Sequence, residues 1–337
     1  MASRVLVLYA GGTIGMAPSP DGLRPMDGFA ERLHAALAED AHRLPYFDVQ
    51  SLEHPIDSAQ LRPGDWSAIA APLIAHWDAY DGFVVLHGTD TLAWTASALS
   101  FLLMGADKPV ILTGAQIPWL QARSDALGNV HAALQFAAQR EIREVAVCFG
   151  RTLMRGNRCR KRASSDFDAF DSPNAPALAR IGIDLQIDER ALLSPPERDF
   201  RNPPLSTDTV ELLTVHPGLS GRRIDALSAD PAVRGLILLS YGVGNLPSDD
   251  ATLSAALERA AERELVVLNL TQCWQGRVAQ DTYASGAALS RLGVIDGADL
   301  TPEAAFAKLH YLLAVAHTPA QVRARLRQPL CGEMRPS

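Results

Sequence analysis

The stretch Asp81-Gly82-Phe83-Val84-Val85-Leu86-His87-Gly88-Thr89-Asp90-Thr91-Leu92-Ala93-Trp94-Thr95-Ala96-Ser97-Ala98-Leu99 decides the reading of the fold. Phe83–Leu86 is a short unbroken apolar run, the pattern of a strand buried on both faces. Thr91–Met104 follows with the apolar spacing of a helix. Between them lies a polar loop, His87-Gly88-Thr89-Asp90-Thr91. A buried strand, a glycine-containing loop and a helix make one unit of a parallel sheet, and a ligand meets such a sheet at the C-terminal ends of its strands.

The same unit recurs on both sides. Runs at Val5–Tyr9, Phe47–Leu52, Val110–Thr113 and Val145–Phe149 read as further buried strands, with helical patterns at Phe29–Leu37, Asp65–Trp77 and Ala126–Ala138. This alternation predicts a parallel sheet covered by helices on both faces. Pro195-Pro196 and Pro203-Pro204 bracket a polar stretch, and proline pairs oppose continuation of helix or sheet. Residues 191–209 are therefore read as a linker between an N-terminal α/β catalytic domain (1–190) and a smaller C-terminal α/β domain (210–337). In the second, strands are expected at Val210–Val215, Leu236–Ser240 and Leu265–Leu270, and helices at Asp250–Arg263 and Pro302–Ala316.

Composition narrows the function. At 337 residues, two domains are the first expectation. Hydrophobic residues make up 47% and charged residues 20%, enough for a true core. The net charge of −7 argues against a nucleic-acid surface and fits a small neutral or zwitterionic substrate. Cys148, Cys159, Cys273 and Cys331 are widely spaced, which reads as thiols of a reducing compartment. The apolar run after Met1 is too short for a leader, and no stretch approaches the roughly 20 apolar residues of a membrane span. Cytoplasmic residence is the resulting expectation.

Two loops at strand ends carry the candidate chemistry: Gly11-Gly12-Thr13-Ile14-Gly15 after the first strand, and His87–Thr91. Their glycines allow close approach of a ligand to the main chain and leave N–H groups for an anion. Each loop offers a threonine hydroxyl. The first loop has neither the dinucleotide-binding G-x-G-x-x-G nor a P-loop ending. The plain alternative for Thr89-Asp90-Thr91 is helix capping. A threonine hydroxyl attacks only once a neighbour takes its proton, and a Thr–Asp–Lys relay is one arrangement that does so. Lys161 is the lysine singled out, although its run, Arg155-Gly156-Asn157-Arg158-Cys159-Arg160-Lys161-Arg162, taken alone reads more often as a solvated basic patch, and nothing in its spacing marks it as catalytic. The histidines show no paired metal-ligand spacing, so neither a metal nor a cofactor is expected. His87 reads as an orienting or core histidine.

Together the two loops resemble the paired signature motifs of the bacterial-type L-asparaginases. The likeness extends to Pro109-Val110-Ile111-Leu112-Thr113-Gly114-Ala115-Gln116-Ile117-Pro118, Arg155-Gly156-Asn157-Arg158, Ser240-Tyr241-Gly242-Val243-Gly244-Asn245 and Leu268-Asn269-Leu270-Thr271-Gln272-Cys273. Ser240–Asn245 is similar to the cytoplasmic type I branch. The resemblance implies a larger N-terminal and a smaller C-terminal α/β domain, a homodimer or homotetramer, and hydrolysis of L-asparagine to L-aspartate and ammonia. It implies Thr13 as nucleophile through a β-acyl-enzyme, Thr89 acting on the deacylating water, and Asp90 with Lys161 completing the relay. Asp57 and Ser58 would grip the substrate's α-amino and α-carboxylate groups, with Gly12, Gly88 and Ala115 also lining the substrate. No nucleic acid and no membrane is an expected partner.

The chain departs from the family pattern in two places. Ala10 stands where threonine commonly precedes the two glycines. Leu23 aligns with a lid tyrosine that helps activate the first threonine, and leucine cannot relay a proton. Some type I members bind asparagine at a regulatory site near Cys273 and Lys161; Arg160 and Leu239 alter its surroundings, which implies weak or absent cooperativity. The rivals are a glutaminase, since one methylene is worth only about 1–3 kcal/mol of discrimination, the amidotransferase subunit that makes glutaminyl-tRNA, and an amino-acid sensor that has lost catalysis. The amidotransferase subunit would carry an additional N-terminal domain.

Overall fold

β1 (Arg4–Gly11) is buried from its second residue onward and takes the place in the sheet that decides where the two loops meet. The structure, a computed structural model, describes residues 3–19, 22–25, 28–194, 197–247, 250–280 and 289–335. The chain divides into two units, Met1–Asn202 and Pro203–Ser337.

Unit 1 continues through the hairpin β2 (Met16–Ser19) and β3 (Gly22–Pro25), α1 (Phe29–Ala36), β4 (Tyr46–Ile56), α2 (Pro63–Ala75), β5 (Gly82–Leu86), α3 (Leu92–Leu102), β6 (Val110–Thr113), α4 (Ala126–Ala137) and β7 (Val145–Phe149). Next come β8 (Thr152–Arg155), β9 (Arg160–Lys161), β10 (Phe170–Asp171), β11 (Ala179–Ile181) and β12 (Leu185–Ile187). An eight-stranded sheet runs in the order β12-β11-β8-β7-β6-β5-β1-β4. β4, β1, β5, β6 and β7 are parallel, whereas β8, β11 and β12 join antiparallel. β5 is buried along its whole length, as its unbroken apolar run demands. α3 is buried at every position but Trp94, so its apolar residues surround it instead of forming one stripe.

Because β1 lies between β4 and β5, three loops leave the sheet side by side: Gly12–Gly15 after β1, Asp57–Gln60 after β4 and His87–Thr91 after β5. Gly11 and Gly12 have φ of +133° and +86°, a region that favours glycine.

Residues 191–202, read as linker from the proline pairs, belong to unit 1 where they are described. The buried Glu144 carboxylate accepts the Leu193 N–H at 2.9 Å, and its partner Arg155 donates to the Ala191 carbonyl at 2.6 Å. Asp199 and Arg201 donate backbone N–H groups to the carbonyls of Met104 and Leu102. Proline blocks helix and sheet, but irregular chain can still pack when its polar groups find partners.

Unit 2 comprises β13 (Val210–Thr214), α5 (Gly221–Ala229), β14 (Gly235–Ser240), α6 (Ala251–Glu262), β15 (Val266–Thr271), β16 (Ile295–Asp296), α7 (Pro302–Val315) and α8 (Pro319–Leu326). Its four strands are parallel in the order β13-β14-β15-β16. A fully buried pair, Lys308 with Glu333 at 2.7 Å, ties the C-terminal segment to α7. The architecture is two α/β units, a larger one with a mostly parallel sheet and a smaller one with a parallel sheet. Among the described residues, no helix is long and apolar enough to cross a membrane.

Candidate active site

Gly12 and Gly88 bring the two threonine loops into contact. A Cβ on Gly12 would collide with the backbone of Gly88, and a Cβ on Gly88 would strike the Ser58 side chain. No larger residue fits either place without moving backbone, so the glycines set how closely the loops approach. Thr91 donates its hydroxyl to the Ser58 carbonyl at 2.8 Å, which ties the third loop to the second. Asp57 caps the short turn behind Ser58 by accepting the Ala59 N–H at 3.1 Å. Its side chain is exposed at the rim, while Ser58 is buried.

Thr13 is half-buried in a tight turn, with its hydroxyl donating to the Ala115 carbonyl at 3.2 Å. Tyr9 supports this turn from below: its hydroxyl donates to the Gly12 carbonyl at 3.3 Å and its ring stacks on Phe29 at 4.6 Å. Burial pushes the Tyr9 phenol up to about 12.

Lys161 comes from the far end of unit 1 in sequence, on β9. Its Nζ donates to Thr89 Oγ1 at 2.9 Å and to Asp90 Oδ1 at 2.8 Å. The basic run around it is therefore not uniformly solvated: this one amine is turned inward onto the second loop. With the Thr89 oxygen accepting from Lys161, the Thr89 proton is directed elsewhere.

His87 is fully buried beneath the same loop. Its Nδ1 lies 2.8 Å from the Gly88 carbonyl, which can only accept, so that nitrogen carries the proton. Nε2 then accepts from Thr95 Oγ1 at 3.0 Å. Burial lowers the His87 pKa to about 4, the backbone contact opposing it only partly. The folded state resists protonation that the unfolded chain accepts near 6.5. His87 therefore contributes stability that is complete above that pH and is lost as pH falls toward 4. Unfolding by urea is expected to require about 2 kcal/mol less at pH 5 than at pH 7 through this group. His87→Gln should lose that part of the slope, whereas an unchanged slope would show that the imidazole is not held neutral.

The structure thus brings together Gly12, Thr13, Asp57, Ser58, Gly88, Thr89, Asp90, Ala115 and Lys161 in unit 1. Leu23 falls on the β2–β3 hairpin, paired in the backbone with Pro18, and its side chain lies outside the described residues. Cys148 is buried, and burial pushes its thiol up to about 12, far from a nucleophile's range. Among the described residues, no group of three or more His, Cys, Asp or Glu is placed to hold a metal ion. Sequence reading passed over Tyr9 and the pair Asp125 and Asn129, which pin the segment around Ala115; Ser124-Asp125 ahead of α4 looks like an ordinary helix cap.

Residues 4–193 match the Asparaginase, N-terminal family, and residues 209–326 match the Glutaminase/Asparaginase C-terminal domain. The L-asparaginase 1 of Escherichia coli (strain K12) is 44% identical over 338 residues, covering 98% of each chain. The structure of L-asparaginase I from Vibrio cholerae superposes with a TM-score of 0.90 at 41% identity, covering 99% of this chain and 100% of that one. The thermostable L-asparaginase from Thermococcus kodakarensis gives the same TM-score at 31% identity and the same coverage. Matches across both units, at this identity and over nearly the full length, place the chain in the asparaginase family.

Proposed function

We propose that this protein hydrolyses L-asparagine to L-aspartate and ammonia, with Thr13 as nucleophile. The observation that carries the reading is Lys161 Nζ, which reaches Thr89 Oγ1 and Asp90 Oδ1 from 72 and 71 residues away, beside the loop that holds Thr13. The names of the relatives support the substrate. Thr13 Oγ1 adds to the side-chain amide carbon. The negative charge that develops on the amide oxygen is met by backbone N–H groups of the two glycine loops, a contribution of about 3–4 kcal/mol in comparable sites. The carbon–nitrogen bond then breaks, the nitrogen leaves as ammonia after taking the Thr13 proton, and a β-aspartyl ester remains on Thr13. Water held by Thr89 attacks this ester and gives a proton to the Thr89–Lys161–Asp90 group; the bond between the acyl carbon and Thr13 Oγ1 then breaks, that proton is returned to the Thr13 oxygen, and aspartate is released.

Asp57 and Asp90 present carboxylates for the substrate's ammonium, and Ser58 a hydroxyl for its carboxylate. The Ala115 carbonyl, which accepts the Thr13 hydroxyl before substrate binds, is placed to accept from the substrate amide as well. Tyr9 does not replace a lid tyrosine. Its proton is committed to the Gly12 carbonyl, and its pKa of about 12 keeps it protonated at neutral pH.

Steady-state ammonia release from L-asparagine and, separately, L-glutamine tests the reading. Turnover of asparagine is expected. Binding of asparagine without ammonia release would replace the enzyme by a sensor. Leu23→Tyr is expected to raise kcat at least threefold, a small part of the roughly 10²–10⁴ that a positioned acid or base supplies. No gain would show that the lid position plays no part in proton transfer here. Homodimeric or homotetrameric assembly in the cytoplasm belongs to the same reading, and light scattering of the purified protein tests its first half.

A further inference from the structure

Ala115 sits in a segment whose polar groups are held almost one by one. Asn129 Nδ2 donates to the Gly114 carbonyl at 2.9 Å. The Asp125 carboxylate accepts the Gln116 N–H at 3.1 and 3.0 Å and the Ile117 N–H at 3.0 Å. Ser124 Oγ donates to the Ile117 carbonyl at 2.9 Å. Asn129 Nδ2 also donates to Asp125 at 3.0 Å, and its Oδ1 accepts the Gly150 N–H at 3.1 Å. An aspartate directly before a helix ordinarily caps its own first turn. Asp125 makes no such cap on α4 and turns its carboxylate onto the 116–117 backbone instead.

The carbonyl of Ala115 and the N–H of Gln116 are two ends of one peptide group. A carboxylate at the N–H end draws the amide toward its charge-separated resonance form, so the carbonyl oxygen becomes a stronger acceptor. That oxygen is the one that takes the Thr13 hydroxyl. We propose that Asp125 is a positioning residue for Thr13, acting through the Ala115–Gln116 peptide and steadied by Asn129. The chain of contacts is Thr13 O–H to the Ala115 carbonyl, then Gln116 N–H to the Asp125 carboxylate. It fixes the direction of the hydroxyl lone pairs and increases electron density on the attacking oxygen. No proton passes along it. The proposal rests on Thr13 being the nucleophile.

The test isolates acylation. In a Thr89→Val background, where deacylation is impaired, mixing enzyme with L-asparagine should release a burst of about one ammonia per site, with a rate that reports Thr13 attack alone. Adding Asp125→Asn keeps shape but removes charge, and should slow the burst at least tenfold while its amplitude and the asparagine concentration that half-saturates the burst rate stay within twofold. Ser124→Ala loosens the same segment at the Ile117 carbonyl without touching the 115–116 peptide, and should leave the burst rate within twofold. Equal slowing by both variants, or none by Asp125→Asn, overturns the proposal in favour of a structural role. Absence of any burst in Thr89→Val alone removes the acyl-enzyme reading and this proposal with it. If Asp125→Asn does not fold, Asn129→Ser, which withdraws one donor from the carboxylate, must slow the burst at least threefold; an unchanged rate overturns the proposal equally.

Discussion

Thr13→Ala is expected to lower ammonia release from L-asparagine roughly ten-thousand-fold, equivalent to about 5–6 kcal/mol of lost transition-state stabilisation. The residual rate would come from the backbone N–H groups and the carboxylates, which still bind and polarise the amide without a nucleophile to use it. The fold should barely notice. Thr13 gives up one neutral hydrogen bond, to Ala115, worth about 1 kcal/mol. The turn around it is held by Gly12 against Gly88 and by Tyr9, and none of these contacts involves the Thr13 side chain. Asparagine binding, measured by calorimetry, should therefore survive with a Kd within a few-fold of that of the parent. Thr13→Ser keeps the hydroxyl and should retain a tenth or more of the activity. An alanine variant that kept as much as the serine variant would place the nucleophile elsewhere, with Thr89 the first candidate.

How far the sequence foretold this site depended on whether a residue's partners lie next to it in the chain. β5 and the His87–Thr91 loop were legible because a buried strand, a polar loop and a helix each leave a local pattern. Between residues 191 and 202 the proline pairs report which regular structures are forbidden and say nothing of packing, so the contacts of this stretch with unit 1 left no local signal. α5 escaped notice, as did α8, a two-turn helix capped by Thr318. The antiparallel strands β8, β11 and β12 are too short for a period to show. Lys161 was ambiguous for a physical reason: a basic run looks the same whether its amines face water or one of them turns inward. Only the return of β9 toward the second loop separates those cases. Asp125 was invisible as anything but a cap, since the backbone groups it holds lie eight and nine residues earlier. The family resemblance, by contrast, drew on residues spread across both units, and that breadth is what single-window reasoning lacks.

Lys161→Met is expected to cut kcat by about 10²–10³, the range that a positioned acid–base group contributes, with little loss of stability. The asymmetry follows from where the charges sit. Asp90 has 62% of its side chain exposed, so its carboxylate is rehydrated when Lys161 is removed. An ion pair of that kind is worth about 0–1 kcal/mol to the fold. Thr89 suffers differently. Its hydroxyl oxygen loses the donor at 2.9 Å that fixes its rotamer, and its proton is no longer directed toward the bound water. Deacylation should slow more than acylation, so the variant should accumulate the ester on Thr13, visible as a mass increase during turnover. Lys161→Arg separates the two roles the lysine has in this scheme. If Lys161 supplies only positive charge, the guanidinium restores most of the activity. If the amine exchanges a proton with Thr89, arginine fails, because its pKa above about 12 keeps it permanently charged and its planar fork cannot reproduce one tetrahedral donor shared between two oxygens. The relay requires the second outcome. Recovery by arginine would leave Thr89 to position the water by hydrogen bonding alone, with the Asp90–Lys161 pair acting as electrostatic support.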